Sequence, residues 1–315
     1  MNIVFMGTPD FAVATLNALV EAKHNIVGVI TSPDKPAGRG YKLQQSAVKK
    51  YAVEKGLNIL QPTNLKNEEF VSDLKALNAD LFVVVAFRML PEVVWGMPEK
   101  GTVNLHGSLL PQYRGAAPIN WAVMNGEKKT GVTTFFIQQK IDTGNIIDNA
   151  VVEIGENETA GELHDKLMMV GADLMVRTVD KIKEGNFFTK QQDHLNEDEL
   201  KKAYKIFKDV CKIDWSEDLD QIHNHVRGLS PYPAAWTYLH YADKKKKLKV
   251  FITRKEEKQH TKEVGSIDTD NKTYLSVNVK GGLIQIKELQ LEGKKRMKIE
   301  DFLRGVDLNN NDKVE

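Results

Sequence analysis

Short apolar runs alternate with amphipathic stretches through the first half of the chain, and this alternation limits the fold more than any other feature. Ile3–Met6, Ile26–Ile30, Asn58–Leu60, Leu81–Ala86 and Thr102–His106 read as buried strands. Between them, Phe11–Glu21, Ser46–Lys55 and Asn67–Asn78 carry apolar residues at helical spacing. Strands separated by helices indicate βαβ units, which build a parallel sheet covered on both faces. Ligands of such sheets bind beyond the carboxyl ends of the strands. Chemistry is therefore expected just after Met6, Ile30, Ala86 and Leu105. Thr130–Ile137 and Ile146–Ile154 read as further strands and Ala160–Lys183 as a long helix.

The pattern changes near residue 207. Lys247–Thr253, Tyr274–Val279 and Gly282–Leu289 carry alternating or β-branched residues with polar breaks, which favours a small all-β barrel or sandwich. Residues 187–206 are polar and charged and read as a helical or extended connector. The expected organisation is an α/β domain over 1–188, a linker over 189–206 and a β-rich domain over 207–315.

Charge follows the same division. Residues 1–205 hold 23 Lys+Arg against 25 Asp+Glu, whereas 241–304 hold 17 against 10, so the basic excess lies in the β-rich part. The longest apolar run, Leu81–Phe87, is far shorter than the ~20 residues that cross a bilayer. The opening MNIVFMGTPDF lacks a basic leader and is broken by Gly7 and Pro9, so it does not read as a secretory signal. A cytoplasmic protein is expected. The single cysteine excludes a disulfide framework and a Cys-based zinc site.

Several familiar motifs are absent or weak. Gly7-Thr8-Pro9 follows the first strand, but it is not a dinucleotide-binding G-x-G-x-x-G, and no acidic residue closes the second strand. There is no P-loop. His223 and His225 are two apart on an expected helix, point to different sides, and read as solvated rather than as metal ligands.

The segment Thr102-Val103-Asn104-Leu105-His106-Gly107 is the most informative. As a strand it sets Asn104 and His106 on one face, ~6.6 Å apart, with Val103 and Leu105 on the other. Two polar side chains ending a buried strand are costly without a partner or a task. A rigid loop, Ser108–Gly115, follows, and Asp142 in Asp142-Thr143-Gly144 sits in a turn that can lie beside His106. Taken singly, Asn104 reads as a strand-end turn residue, His106 as a satisfied core histidine and Asp142 as the start of an Asx turn. Together they form a candidate site.

At these residues the chain resembles the folate-dependent formyltransferases. The matching pieces are MGTPDF (Met6–Phe11), DKPAGRGYKL (Asp34–Leu43), NLHGSLLPQYRGAAPINWA (Asn104–Ala122), DTGNII (Asp142–Ile147) and RGLSPYPAAWT (Arg227–Thr237). The resemblance implies a Rossmann-like, doubly wound, mostly parallel sheet followed by a small C-terminal all-β barrel of oligonucleotide-binding (OB) type. It implies formyl transfer from 10-formyltetrahydrofolate to an amine, with Asn104 donating to the oxyanion, His106 donating to it or shuttling a proton, and Asp142 orienting the imidazole; no metal is required. Phe87, Arg88, Met89, Leu90, Ser108, Leu109, Leu110, Pro111, Thr143 and Gly144 are the implied folate contacts. Arg88 departs from the family, which often has glycine in that segment. The implied acceptor is charged initiator methionyl-tRNA, held by the loop Asp34–Leu43 through Lys35, Arg39 and Lys42, and by Lys244, Lys245, Lys246, Lys247 and Lys249 through phosphate attraction. The same Asn/His/Asp chemistry serves amino-sugar nucleotides, which is the alternative acceptor. A monomer without membrane contact is expected.

Overall fold

The computed structural model describes residues 1–37, 42–192, 197–309 and 311–315. The chain forms two compact units that are not contiguous in sequence. One comprises Met1–Gly115, Thr130–Val152 and His164–Lys202; the other comprises Ala116–Lys129, Glu153–Leu163 and Ala203–Glu315. A linear division at 188 and 206 thus leaves out the segments 116–129 and 153–163, which belong with the C-terminal unit.

The first unit is built on a seven-stranded sheet: β1 (Asn2–Gly7), β2 (Asn25–Ile30), β3 (Ile59–Leu60), β4 (Leu81–Val85), β5 (Thr102–His106), β6 (Lys129–Phe136) and β7 (Ile146–Glu153). Their order is β7-β6-β5-β4-β1-β2-β3. The pairs from β5 to β3 are parallel, and β6 joins β5 antiparallel, so the sheet is mixed. The apolar runs are central strands because both faces are covered: every residue of β4 is buried. Ser46 and Asn67 cap their helices by accepting from the backbone N–H of Lys49 and Phe70, each at 3.0 Å. The helix Ala160–Glu184 packs Gly171 against Leu105, where an added Cβ would lie 2.8 Å from Leu105 Cδ2. That contact places Leu105 on the helix side of β5, and Asn104 and His106 on the opposite side.

The loop expected over Asp34–Leu43 is a short antiparallel ribbon, Lys35–Ala37 paired with Lys42–Gln44. Its base is anchored by Asp34, which accepts from Lys49 Nζ at 2.6 Å and Gln61 Nε2 at 2.9 Å. Those hydrogen bonds hold the Asp34 carboxyl below its ordinary pKa.

The second unit contains β8 (Ala235–Tyr241), β9 (Lys244–Glu257), β10 (Ile267–Thr269), β11 (Leu275–Val279), β12 (Gly282–Leu291) and β13 (Lys313–Val314), in the order β10-β11-β12-β9-β8-β13. Neighbouring strands pair antiparallel, and an antiparallel bridge from Ser266 to Lys313 links the two edges, so the sheet curls into a nearly closed barrel. Register shifts between Val250 and Thr253 bend β9, whose residues Lys244–Val250 pair with β8 and Leu248–Glu257 with β12. Ala235, Leu239, Leu248, Val250, Val277 and Ile284 fill the interior.

The helix Leu219–Gly228 packs on the barrel and on the helix Pro118–Met124, and this covering overturns the solvated reading of its histidines. His223 is buried, with Nδ1 2.9 Å from Thr253 Oγ1, and His225 is half-buried. Arg227 is also buried; its guanidinium donates to Asn224 Oδ1 and to the carbonyls of Gly155 and Glu158, the last at 2.9 Å. Burial, reinforced by the nearby Arg227 charge, pushes the His223 pKa down to about 4. The unfolded chain therefore takes up a proton near pH 6.5 that the native state refuses until about pH 4. Stability carried by neutral His223 is present above pH 6.5 and is lost as the pH falls toward 4, on the order of 3 kcal/mol in total. Denaturant titrations at pH 7 and pH 4.5 should show this loss, and His223→Gln should reduce the difference between them. Among the described residues no helix is long and apolar enough to cross a membrane.

Candidate active site

β5 ends in the middle of the sheet, at the junction between its parallel part and antiparallel β6. His106 is 7% exposed and pairs across the ladder with Thr133. One imidazole nitrogen, Nε2, lies 2.8 Å from the Tyr113 carbonyl oxygen. A carbonyl only accepts, so Nε2 carries a hydrogen and donates. The other nitrogen, Nδ1, faces Asp142 Oδ2 at 3.9 Å. In the neutral ring Nδ1 is then the basic nitrogen, and in the charged ring its N–H points to a carboxylate. The orienting role expected of Asp142 is thus shared: the Tyr113 carbonyl fixes the tautomer, and Asp142 supplies charge.

Asp142 reaches this position because its turn is tightly built. Its φ is 53°, in the left-handed region that aspartate tolerates better than most residues. Its Oδ2 accepts from the Gly115 backbone N–H at 3.0 Å. Gly144 approaches β6 so closely that an added Cβ would lie 1.6 Å from the Phe136 carbonyl oxygen, so no side chain fits there. Thr143 donates its hydroxyl to the Lys140 carbonyl at 2.9 Å, closing the turn.

Asn104 is half-buried on the same face as His106, and among the described residues no group hydrogen-bonds its side-chain amide. The amide is therefore available to a ligand oxygen. A hydrogen-bond donor, a tautomerically fixed imidazole and a carboxylate together suit the polarisation of a carbonyl and the transfer of a proton.

The expected folate contacts divide. Met89 is 73% exposed and Phe87 half-buried, so both present surface to a ligand, whereas Leu90 is buried in the core beneath them. Arg88 folds back: its guanidinium donates to the carbonyls of Pro62 and Thr63 and lies 5.4 Å from the Phe87 ring centroid. Leu110 packs with Phe135 and Ile146, while Leu109 lies against Gly131. Pro111 is half-buried. Ser108 is fully buried; its hydroxyl donates to the Gln112 carbonyl at 2.6 Å, and its own carbonyl accepts from Thr133 Oγ1 at 2.7 Å. Ser108 thus shapes the loop from within. Tyr113, Thr133, Gly115 and Gln192 carry no signal in the sequence, because they act through backbone groups or through remote hydrogen bonds.

The basic residues also divide. Arg39 lies outside the described residues, and Lys35 is exposed on the ribbon, where Lys42 pairs with Ala37. In the barrel, the β8–β9 register pairs His240 with Lys245, Tyr238 with Lys247 and Trp236 with Lys249, while Leu239 pairs with Lys246 and Tyr241 with Lys244. Lys245, Lys247 and Lys249 therefore share the outer face with Trp236, Tyr238 and His240, and Lys244 and Lys246 lie on the face of buried Leu239 and Leu248. Lys247 Nζ sits 3.7 Å from the Trp236 ring centroid and Lys245 Nζ 4.4 Å from that of Tyr238. Lys245 also meets Glu315 Oε2 at 3.0 Å. The outer face thus combines cations and flat rings, the surface chemistry that nucleic acids use.

Residues 1–179 match the family described as Formyl transferase, and residues 205–307 match its C-terminal domain. A methionyl-tRNA formyltransferase of Parabacteroides distasonis is 56% identical, the match covering 97% of this chain and 95% of that one. A methionyl-tRNA formyltransferase of Flavobacterium psychrophilum is 54% identical, covering 97% and 96%. Among solved structures, a sugar 3N-formyl transferase crystallised in the presence of dTDP and 5-N-formyl-THF superimposes with a TM-score of 0.65 at 20% identity, covering 94% of this chain and 99% of that one. At that identity the likeness concerns the fold.

Proposed function

The chain belongs to the formyl transferase family, and we propose that it transfers the formyl group of 10-formyltetrahydrofolate to the free amino group of methionyl-initiator tRNA, giving N-formylmethionyl-tRNA. The convergence of Asp142 on His106, beside the unengaged amide of Asn104, carries this reading. The identity to methionyl-tRNA formyltransferases over nearly the whole chain supports the acceptor.

The attacking amine adds to the formyl carbon and the carbonyl oxygen gains negative charge. The Asn104 amide donates to that oxygen. In comparable sites one such donor contributes about 3–4 kcal/mol to the barrier. The amine nitrogen becomes cationic as it attacks, and must lose a proton as the bond to the folate nitrogen breaks. His106 Nδ1 accepts that proton, because Nε2 is already committed to the Tyr113 carbonyl. Asp142 stabilises the imidazolium that results. The ring returns the proton to the folate nitrogen, so the enzyme ends as it began. The segment Phe87–Met89 would hold the pterin, and Arg88 is turned back onto the Pro62 and Thr63 carbonyls. Lys35 and the Lys245, Lys247 and Lys249 face attract acceptor phosphates.

Incubation with charged initiator tRNA and a donor labelled in the formyl group tests the proposal. The label is expected on the methionyl amine. Label transferred only to an amino-sugar nucleotide, or no transfer, contradicts it.

A further inference from the structure

The polar stretch after the long helix does more than connect. Lys190 forms a two-way backbone bridge with Ile146, each hydrogen bond 2.8 Å long, which lays this stretch along the start of β7. Gln192 follows. Its Oε1 accepts from both Arg114 Nε at 3.1 Å and Arg114 Nη2 at 2.8 Å. Its Nε2 donates to the Gly144 carbonyl at 2.7 Å. The amide orientation is fixed by its partners: reversed, it would set NH2 against a guanidinium and oxygen against a carbonyl.

Arg114 and Gly144 belong to the two loops that complete the candidate site. Arg114 follows Tyr113, whose carbonyl holds His106, and Gly144 lies two residues after Asp142. We infer that Gln192 is a positioning residue for formyl transfer: its single side-chain amide ties the Tyr113–Gly115 loop to the Asp142–Gly144 turn and so sets the spacing between imidazole and carboxylate. A second tie, Gly115 N–H to Asp142 Oδ2 at 3.0 Å, joins the same two loops nearer the reacting groups. With only that tie, one hydrogen bond joins the Asp142 turn to the Tyr113–Gly115 loop; with both, the two are held together at two points. This role presupposes the formyl transfer proposed above.

Two variants separate the arms of the bridge. Gln192→Leu removes both. Gln192→Glu keeps an acceptor for Arg114 but sets a carboxylate oxygen where the Gly144 carbonyl needs a donor. Both are expected to lower kcat about tenfold or more, as small displacements of catalytic groups do, and to leave KM for methionyl-tRNA within about twofold. Both are expected to cost nothing further in an Asp142→Ala background, because Gln192 acts through the placement of that carboxylate. A glutamine that merely stabilised the fold would lower the melting temperature, and its replacement would change kcat by the same factor with and without Asp142. Wild-type kcat, or an equal further loss in the Asp142→Ala background, in either variant overturns the inference while the wild-type enzyme still formylates methionyl-tRNA. A wild-type enzyme that formylates nothing overturns the function, and the inference with it.

Discussion

Replacing His106 with alanine is expected to lower kcat about a thousandfold, within the range that a positioned proton-transfer group contributes. Asn104→Ala should cost about a hundredfold to a thousandfold, the effect of removing one oxyanion donor. Asp142→Ala should have a comparable effect, because it takes away the charge that faces His106 Nδ1 at 3.9 Å. The fold should survive each change. The Asn104 amide holds no protein group among the described residues, so its loss costs little stability. His106→Ala leaves the Tyr113 carbonyl without its donor, a penalty of about 1 kcal/mol. Single-turnover rates with saturating tRNA, read beside melting temperatures, check both halves of the expectation. Near-wild-type rates in any two of the three variants would break the assignment.

The second large effect concerns the acceptor. Affinity for methionyl-tRNA should fall by about two to three orders of magnitude between 50 and 200 mM salt, as for a protein that neutralises ~5 phosphates. Reversing the charge of Lys245, Lys247 and Lys249 together should weaken binding strongly and reduce the salt slope by about three. Within the trio, Lys247 and Lys249 should matter more, because Lys245 is already held by Glu315. Reversal of Lys244 and Lys246, which lie on the other face, should have the smaller effect. None of these changes should alter the single-turnover rate on bound tRNA. A flat salt profile, or equal losses from both faces, would contradict the interface.

The strands of the first unit were legible because buried parallel strands read as continuous apolar runs, and Leu81–Val85 is buried at every position. The direction of β6 was not legible, since an apolar run does not encode whether it meets its neighbour parallel or antiparallel. The ribbon of Lys35–Ala37 and Lys42–Gln44 escaped because its strands are only three residues long and carry no apolar run, and its anchor comes from Lys49 and Gln61, remote in the chain. His223 reads as solvated from its residue type on a helix; it is buried because its side of the helix packs on the barrel, where the ring meets Thr253.

The site divides in the same way. Asn104, His106 and Asp142 stood out by residue type and by the strand period that sets the first two on one face. The Tyr113 carbonyl carried no signal, because every residue has one. Gln192 lay in a stretch whose composition resembles any solvated connector. The lysine faces, by contrast, were available in principle: the two-residue strand period already separates Lys245, Lys247 and Lys249 from Lys244 and Lys246.

The claim on which the mechanism rests is that the imidazole and the carboxylate act as one unit. A double-mutant cycle on kcat tests it directly: His106→Ala, Asp142→Ala and the two combined, on charged initiator tRNA at saturating donor. If Asp142 works through His106, the double variant is no slower than His106→Ala alone. Losses that multiply across the two substitutions would show that the carboxylate acts elsewhere.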